Sequence, residues 1–167
     1  NQKKVKLCNY VDVYKNDYIT NDLEFMIATA TDNEIENYLL LKGDIIITKD
    51  SESWDDIAVP SYVDEDLQDV LCGYHLAIIR VDSLKTSGEF IYRAFLSYYV
   101  SKQYKVKAKG VTRFGISYQH IHDTNIIVPP REQQLEIADY IRIKSSQIDK
   151  AIETIKKEIS LITEYRT

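Results

Sequence analysis

The chain has 167 residues and a mass of 19.4 kDa, with 44% hydrophobic and 28% charged residues, enough for one core-forming domain or a domain with an appended element. No apolar stretch approaches the roughly 18 residues that a membrane helix needs, and Asn1-Gln2-Lys3-Lys4 runs straight into amphipathic sequence, which predicts no signal peptide. A net charge of −5 excludes coating of nucleic acid by charge alone, and two cysteines, Cys8 and Cys72, exclude a disulfide scaffold or a four-thiolate zinc site and fit reduced core thiols in a cytoplasmic protein.

Residues 5–14, V-K-L-C-N-Y-V-D-V-Y, alternate loosely and are dominated by β-formers, and 25–30 form a second short apolar run. Lys42-Gly43-Asp44 is a turn signal, and Ile45-Ile46-Ile47-Thr48 after it reads as a buried strand. Residues 57–63 continue the pattern, with Pro60 favouring an edge or bulge position, and 76–81 give another strand. The period then changes. Between 89 and 104 the apolar residues Ile91, Phe95, Leu96, Tyr99 and Val100 fall three to four apart, as on one face of a helix, with Gly88 as the break before it. Residues 105–109 alternate K-V-K-A-K, Gly110 and Gly115 flank V-T-R-F, and 121–128 predict a last strand closed by Pro129-Pro130. Short strands, one packed helix and no βαβ alternation imply an α+β fold with a mixed or curled sheet over residues 1–130.

Residues 131–167 differ in kind. Pro130 suits a first helical turn, Glu132 suits the positive end of the helix dipole, and no Gly or Pro follows. Ala138, Ser145, Ile152 and Ile159 repeat every seven residues, and Ile141, Ile148, Ile155 and Ile162 do so three residues later. That is the a/d seam of a coiled coil, on a helix about 50 Å long, and so narrow an isoleucine stripe calls for a partner helix.

Charge is unevenly spread: +3 over residues 1–9, −13 over 10–79, +6 over 80–131 and −1 over 132–167. An anionic ligand is therefore expected to meet the basic segment. His120 and His122 would share a face if 121–128 is a strand, but no third ligand follows at zinc-like spacing, so no metal is expected. The exposed carboxylate clusters Asp55-Asp56 and Asp64-Glu65-Asp66 show no histidine or serine placed as a catalytic partner. The chain has no Gly-rich phosphate loop, no nucleophile elbow and no adenine-methyltransferase cofactor motif, which argues against catalysis and against a cofactor.

Five stretches carry a resemblance: V-K-L-C-N-Y-V-D-V-Y (5–14), L-K-G-D-I-I-I (41–47), G-Y-H-L-A-I-I (73–79), G-V-T-R-F-G-I-S (110–117) and, above all, I-V-P-P-R-E-Q-Q-L-E-I-A (127–138), with its helix running on to Glu164-Tyr165-Arg166. In this order the chain resembles one target-recognition half of the specificity subunit of type I restriction–modification enzymes. The resemblance implies a non-catalytic reader of double-stranded DNA. It would recognise one half of a split target and hold methyltransferase subunits, with restriction subunits in the same complex. It also implies pairing of long helices as a spacer between two recognition domains. A single recognition domain and a single helix make this chain either one arm of a longer subunit or a half that pairs with a second copy.

Under that resemblance, the acid-free run 102–113 supplies phosphate or guanine contacts through Lys105, Lys107, Lys109 and Arg113. Thr112, Ser117, Tyr118, Gln119 and His120 are the candidates for base-side reading, and Tyr74 and Tyr118 are singled out among the tyrosines because they lie in glycine-flanked or polar loops. By charge pattern alone such a run is more often a solvated face. The loop 49–56 has two readings: it enters a groove with Asp50 or Glu52 accepting from cytosine, or it is a solvated acidic loop whose Trp54 packs back on the domain. Helix pairing is assigned to Ile141, Ile148, Ile152, Ile155, Ile159 and Ile162. The competing reading is a coiled-coil assembly module that touches no DNA, favoured by the acidic balance and opposed by the 102–113 cluster.

Overall fold

The computed structural model describes residues 2–165. Its strands and helices are, in chain order, β1 (Lys3–Cys8), α1 (Tyr10–Lys15), β2 (Tyr18–Ile19), β3 (Met26–Ala30), α2 (Asp32–Tyr38), β4 (Ile45–Thr48), β5 (Asp50–Ser51), β6 (Pro60–Val63), β7 (Val70–Cys72), β8 (Leu76–Ile79), α3 (Gly88–Leu96), α4 (Tyr98–Lys105), β9 (Lys109–Gly110), β10 (Phe114–Gly115), α5 (Tyr118–His122) and α6 (Arg131–Glu164). The fold is mixed α/β with a long terminal helix, as the pattern predicts.

The central sheet runs β2-β6-β4-β8, with β4 antiparallel to both neighbours. An apolar run without alternation is what a strand covered on both faces requires, and every residue of β4 is buried. Ile45 and Ile47 face α3 and α4 across a core with Phe90, Tyr92, Phe95 and Tyr104, while Ile46 faces a second core with Cys8, Val13, Leu40 and Val70. Gly43 takes a φ of +94° in the turn before β4, a conformation that favours glycine. There the buried Asp44 carboxylate accepts 2.7 Å bonds from Arg80 Nε and Nη2 and a 2.8 Å bond from Leu41 N–H. Pro60 opens β6 opposite Ile47, with β2 joining only at Tyr62, so its missing N–H falls where one neighbour strand is present. A second sheet, β3-β1-β7, pairs β1 parallel to β7, and a third, β5-β10-β9, extends from the end of β4.

Three expectations need correction, at residues 5–14, 89–104 and 121–128. Residues 5–14 are not one strand: β1 stops at Cys8, and Asn9 caps α1, its backbone N–H donating to Asp12 at 2.7 Å. The helix over 89–104 is two helices, because the Ser97 hydroxyl accepts from Val100 N–H and restarts the chain as α4. The K-V-K-A-K alternation at 105–109 spans a helix end and a turn before the short β9. Residues 121–128 are not a strand. Ile121 belongs to α5, and the Gln103 side chain takes both backbone groups of Asn125, donating to its carbonyl at 2.8 Å and accepting from its N–H at 2.9 Å. The ladder bonds that a strand would need are thereby occupied by a side chain.

Helix α6 leaves the domain from a fixed base. Gln134, 1% exposed, accepts from Ser87 N–H at 2.9 Å and donates to the Pro129 carbonyl at 2.8 Å and, more weakly, to that of Lys85 at 3.4 Å. Ala138 is buried, Ile141 and Ser145 are half-buried, and every described residue beyond Ser145 is exposed. The stripe that docks the first turns on the domain therefore continues bare, with Ile148, Ile152, Ile155, Ile159 and Ile162 each 44% to 59% exposed. Arg166 and Thr167, part of the expected helix, lie outside the described residues.

Candidate nucleic-acid interface

The segment 109–117 forms a hairpin, β9-turn-β10, laid against β5. Phe114 stands opposite Gly110 on one side and Ser51 on the other, and Gly115 opposite Lys109 and Asp50. A Cβ on Gly110 would lie 1.9 Å from the Arg113 carbonyl oxygen, so this closure needs glycine. The turn presents Val111, Thr112 and Arg113, all exposed.

Around the hairpin, residues distant in sequence converge. The Asp50 carboxylate accepts from Arg113 Nε at 2.7 Å and from Arg113 Nη2, both on Oδ1, while its Oδ2 lies 2.7 Å from His75 Nδ1. The Lys49 ammonium sits 4.9 Å from the Tyr118 ring centre and 5.3 Å from that of Tyr74, and donates to the Tyr118 hydroxyl at 3.2 Å. Such cation–π contacts hold the two rings on one cation. Backbone bonds fix the arrangement, since Lys49 N–H donates to the His75 carbonyl and Ile116 N–H to the Lys49 carbonyl, each at 2.9 Å. Beside this cluster opens a cleft of about 710 Å³, lined on its apolar side by Leu7, Ala28, Leu71 and Ile78.

The candidates separate accordingly. Arg113, Thr112, Lys109 and Tyr118 gather on or beside the hairpin. Lys105 ends α4, and Lys107 lies in the turn after it. Each of these two lysines is near enough to an acid to favour its ionised form. Asp55 is held below the usual carboxylate range by its Ser53 hydrogen bond, with Lys105 adding to the effect; Asp123 is lowered by Gln119 first, with His122 and Lys107 adding. Ser117 and His120 cap α5 reciprocally: the Ser117 hydroxyl accepts from His120 N–H at 3.3 Å, and His120 Nδ1 accepts from Ser117 N–H at 3.4 Å. Gln119 Nε2 donates to both Asp123 oxygens, at 2.8 and 2.9 Å. Because His120 and His122 lie on a helix, they do not share a strand face, and no cluster of three or more metal-ligating side chains occurs among the described residues.

The loop 49–56 is not simply a solvated acidic loop. Asp50 is only 20% exposed and engages Arg113 and His75, while Trp54 is 53% exposed. Two members of the cluster, Lys49 and His75, escaped the sequence reading. Their signal is positional, in that each sits at a break beside a buried strand, where a side chain points out of the fold.

Comparisons with known proteins agree on this architecture. The fold is similar to the HsdS subunit from Thermoanaerobacter tengcongensis, with a TM-score of 0.58 and 17% identity over 75% of this chain and 33% of that one. It is also similar to the S subunit of a type I restriction-modification system from M. genitalium, with a TM-score of 0.51 and 13% identity over 90% of this chain and 40% of that one. The chain thus spans about a third to two-fifths of those subunits. No curated protein matches it in sequence. Residues 1–164 match the type I restriction modification DNA specificity domain, and the chain belongs to that family. No helix among the described residues is long and apolar enough to cross a membrane.

Proposed function

We propose that this chain is one DNA-reading unit of a type I restriction–modification specificity protein. It recognises one half of a split duplex target through the 109–118 region and docks methyltransferase subunits, with the restriction subunit joining the same assembly. Chemistry is left to those subunits. Helix α6 pairs along Ile141, Ile148, Ile152, Ile155, Ile159 and Ile162 with a second long helix, either from another copy or from the other half of a longer subunit. Such a rigid pair fixes the distance between two readers better than a flexible linker.

The observation that carries this reading is the family match across residues 1–164. An exposed hairpin bearing Lys109, Thr112 and Arg113 supports it, since phosphate contacts position a domain and base-edge contacts specify sequence. The test is selection of the full chain against a pool of random duplexes at fixed ionic strength, with sequencing of the retained fraction. One short motif is expected. A retained fraction as random as the input would overturn the reading.

A further inference from the structure

Within the hairpin the Arg113 guanidinium is already half engaged. Its Nε and Nη2 both point at Asp50 Oδ1, which occupies one of the two edges that a guanidinium can offer as a fork. The opposite edge, Nη1 with the second Nη2 proton, has no hydrogen-bond partner among the described residues, and the side chain is 54% exposed. Asp50 is itself held. Its other oxygen meets His75, its strand pairs with β10, and it stands in register opposite Gly115, two residues past Arg113, the diagonal from which a long side chain reaches across. A carboxylate gripped from two sides thus fixes the plane and direction of the guanidinium before any ligand arrives.

The chemistry that matches a free, planar, outward guanidinium edge is a pair of acceptors in one plane. On duplex DNA the major-groove edge of guanine, with N7 and O6, supplies that pair. We propose that Arg113 reads a guanine in the target half-site through its outer edge, and that Asp50 is the positioning residue that aims it. The proposal rests on the DNA-reading function above and adds a named base, a named contact and a named buttress. The negative charge of Asp50 does not oppose DNA, because Arg113 neutralises it and Lys49 lies next to it in the chain.

Random-duplex selection with sequencing, repeated for Arg113→Lys and Asp50→Asn, tests this, with thermal melts of each variant alongside. Lysine keeps the charge and loses the fork; asparagine keeps the shape and one acceptor oxygen but removes the negative charge that grips the guanidinium, so its aim is loosened. The expected result is a wild-type motif with guanine at one position. Both variants then lose preference at that position by roughly tenfold to a hundredfold and keep the others. An unchanged motif in both variants overturns the inference and leaves the DNA-reading function standing. Blurring of every position by Asp50→Asn, with a lowered melting temperature, overturns the positioning role, since a structural defect is not confined to one base. A wild-type chain that selects no motif overturns the DNA-reading function, and the inference falls with it.

Discussion

Gln134 is the residue on which the direction of the long helix depends, and its replacement by alanine should be felt well beyond one surface turn. The side chain is fully buried between the start of α6 and the N-terminus of α3. It accepts from Ser87 N–H and donates to two carbonyls, those of Pro129 and Lys85. Each of the two short bonds contributes about 1 kcal/mol net, and the Ser87 N–H left without an acceptor adds a desolvation penalty of about 1–3 kcal/mol. A loss of roughly 3–5 kcal/mol follows, and at about 2–4 °C per kcal/mol for a chain of this size the melting temperature should fall by roughly 6–20 °C. Gln134→Glu should do no better, because it sets an anion against two carbonyl oxygens. Gln133→Ala, one residue away and exposed, should stay within about 0.5 kcal/mol of the parent. Urea unfolding followed by circular dichroism measures all three. A Gln134→Ala chain within about 0.5 kcal/mol of the parent would refute the assignment of Gln134 as the anchor.

Arg80→Ala removes the guanidinium that meets both oxygens of Asp44 and leaves that buried carboxylate with only the Leu41 N–H. Chemical denaturation should show a loss of about 3 kcal/mol, and a loss below about 1 kcal/mol would show the pair to be dispensable. Burial pushes the Cys72 thiol up from 9.0 to about 12 and raises the Cys8 thiol as well. Above pH 9 the unfolded thiols ionise while the folded ones keep their protons, so the folded state binds more protons and stability falls as pH rises from 9 toward 12, by at most about 1.4 kcal/mol per pH unit for each thiol. Comparing urea midpoints at successive alkaline pH values checks this, and Cys72→Ala should flatten the decline. Where two copies pair through α6, replacing Ile152 and Ile155 by aspartate should abolish the pairing, read as a halved mass in sedimentation equilibrium, without moving the melting temperature of the domain, from which both side chains are remote.

Much of this architecture is written in local pattern. Ile45-Ile46-Ile47 after a glycine turn reads as a buried strand, and the period-seven isoleucines define α6 over most of its length. Where pattern misled, a polar side chain had taken over a backbone group. Ser97 divides what the apolar spacing joins, Asn9 ends β1 inside a run of β-formers, and Gln103 takes the bonds that residues 121–128 would have needed as a strand. Within the candidate site, the hairpin glycines and Arg113 were legible, as were Tyr74 and Tyr118. The junction of Asp50 with Arg113 and His75 was not, because these residues lie up to 63 positions apart and only the register of β5 on β10 unites them. The capping exchange between Ser117 and His120 was available in principle from a serine three residues ahead of a histidine at the start of a short helix.

The central claim is that this domain supplies sequence recognition to a modification complex. Its most direct test is co-expression of the chain with the methyltransferase subunit from the same organism, followed by single-molecule mapping of modified adenines. Modification at one defined motif, palindromic and split if two copies pair through α6, is the result this account predicts. Complex formation with modification at no defined motif, or no association at all, would contradict it.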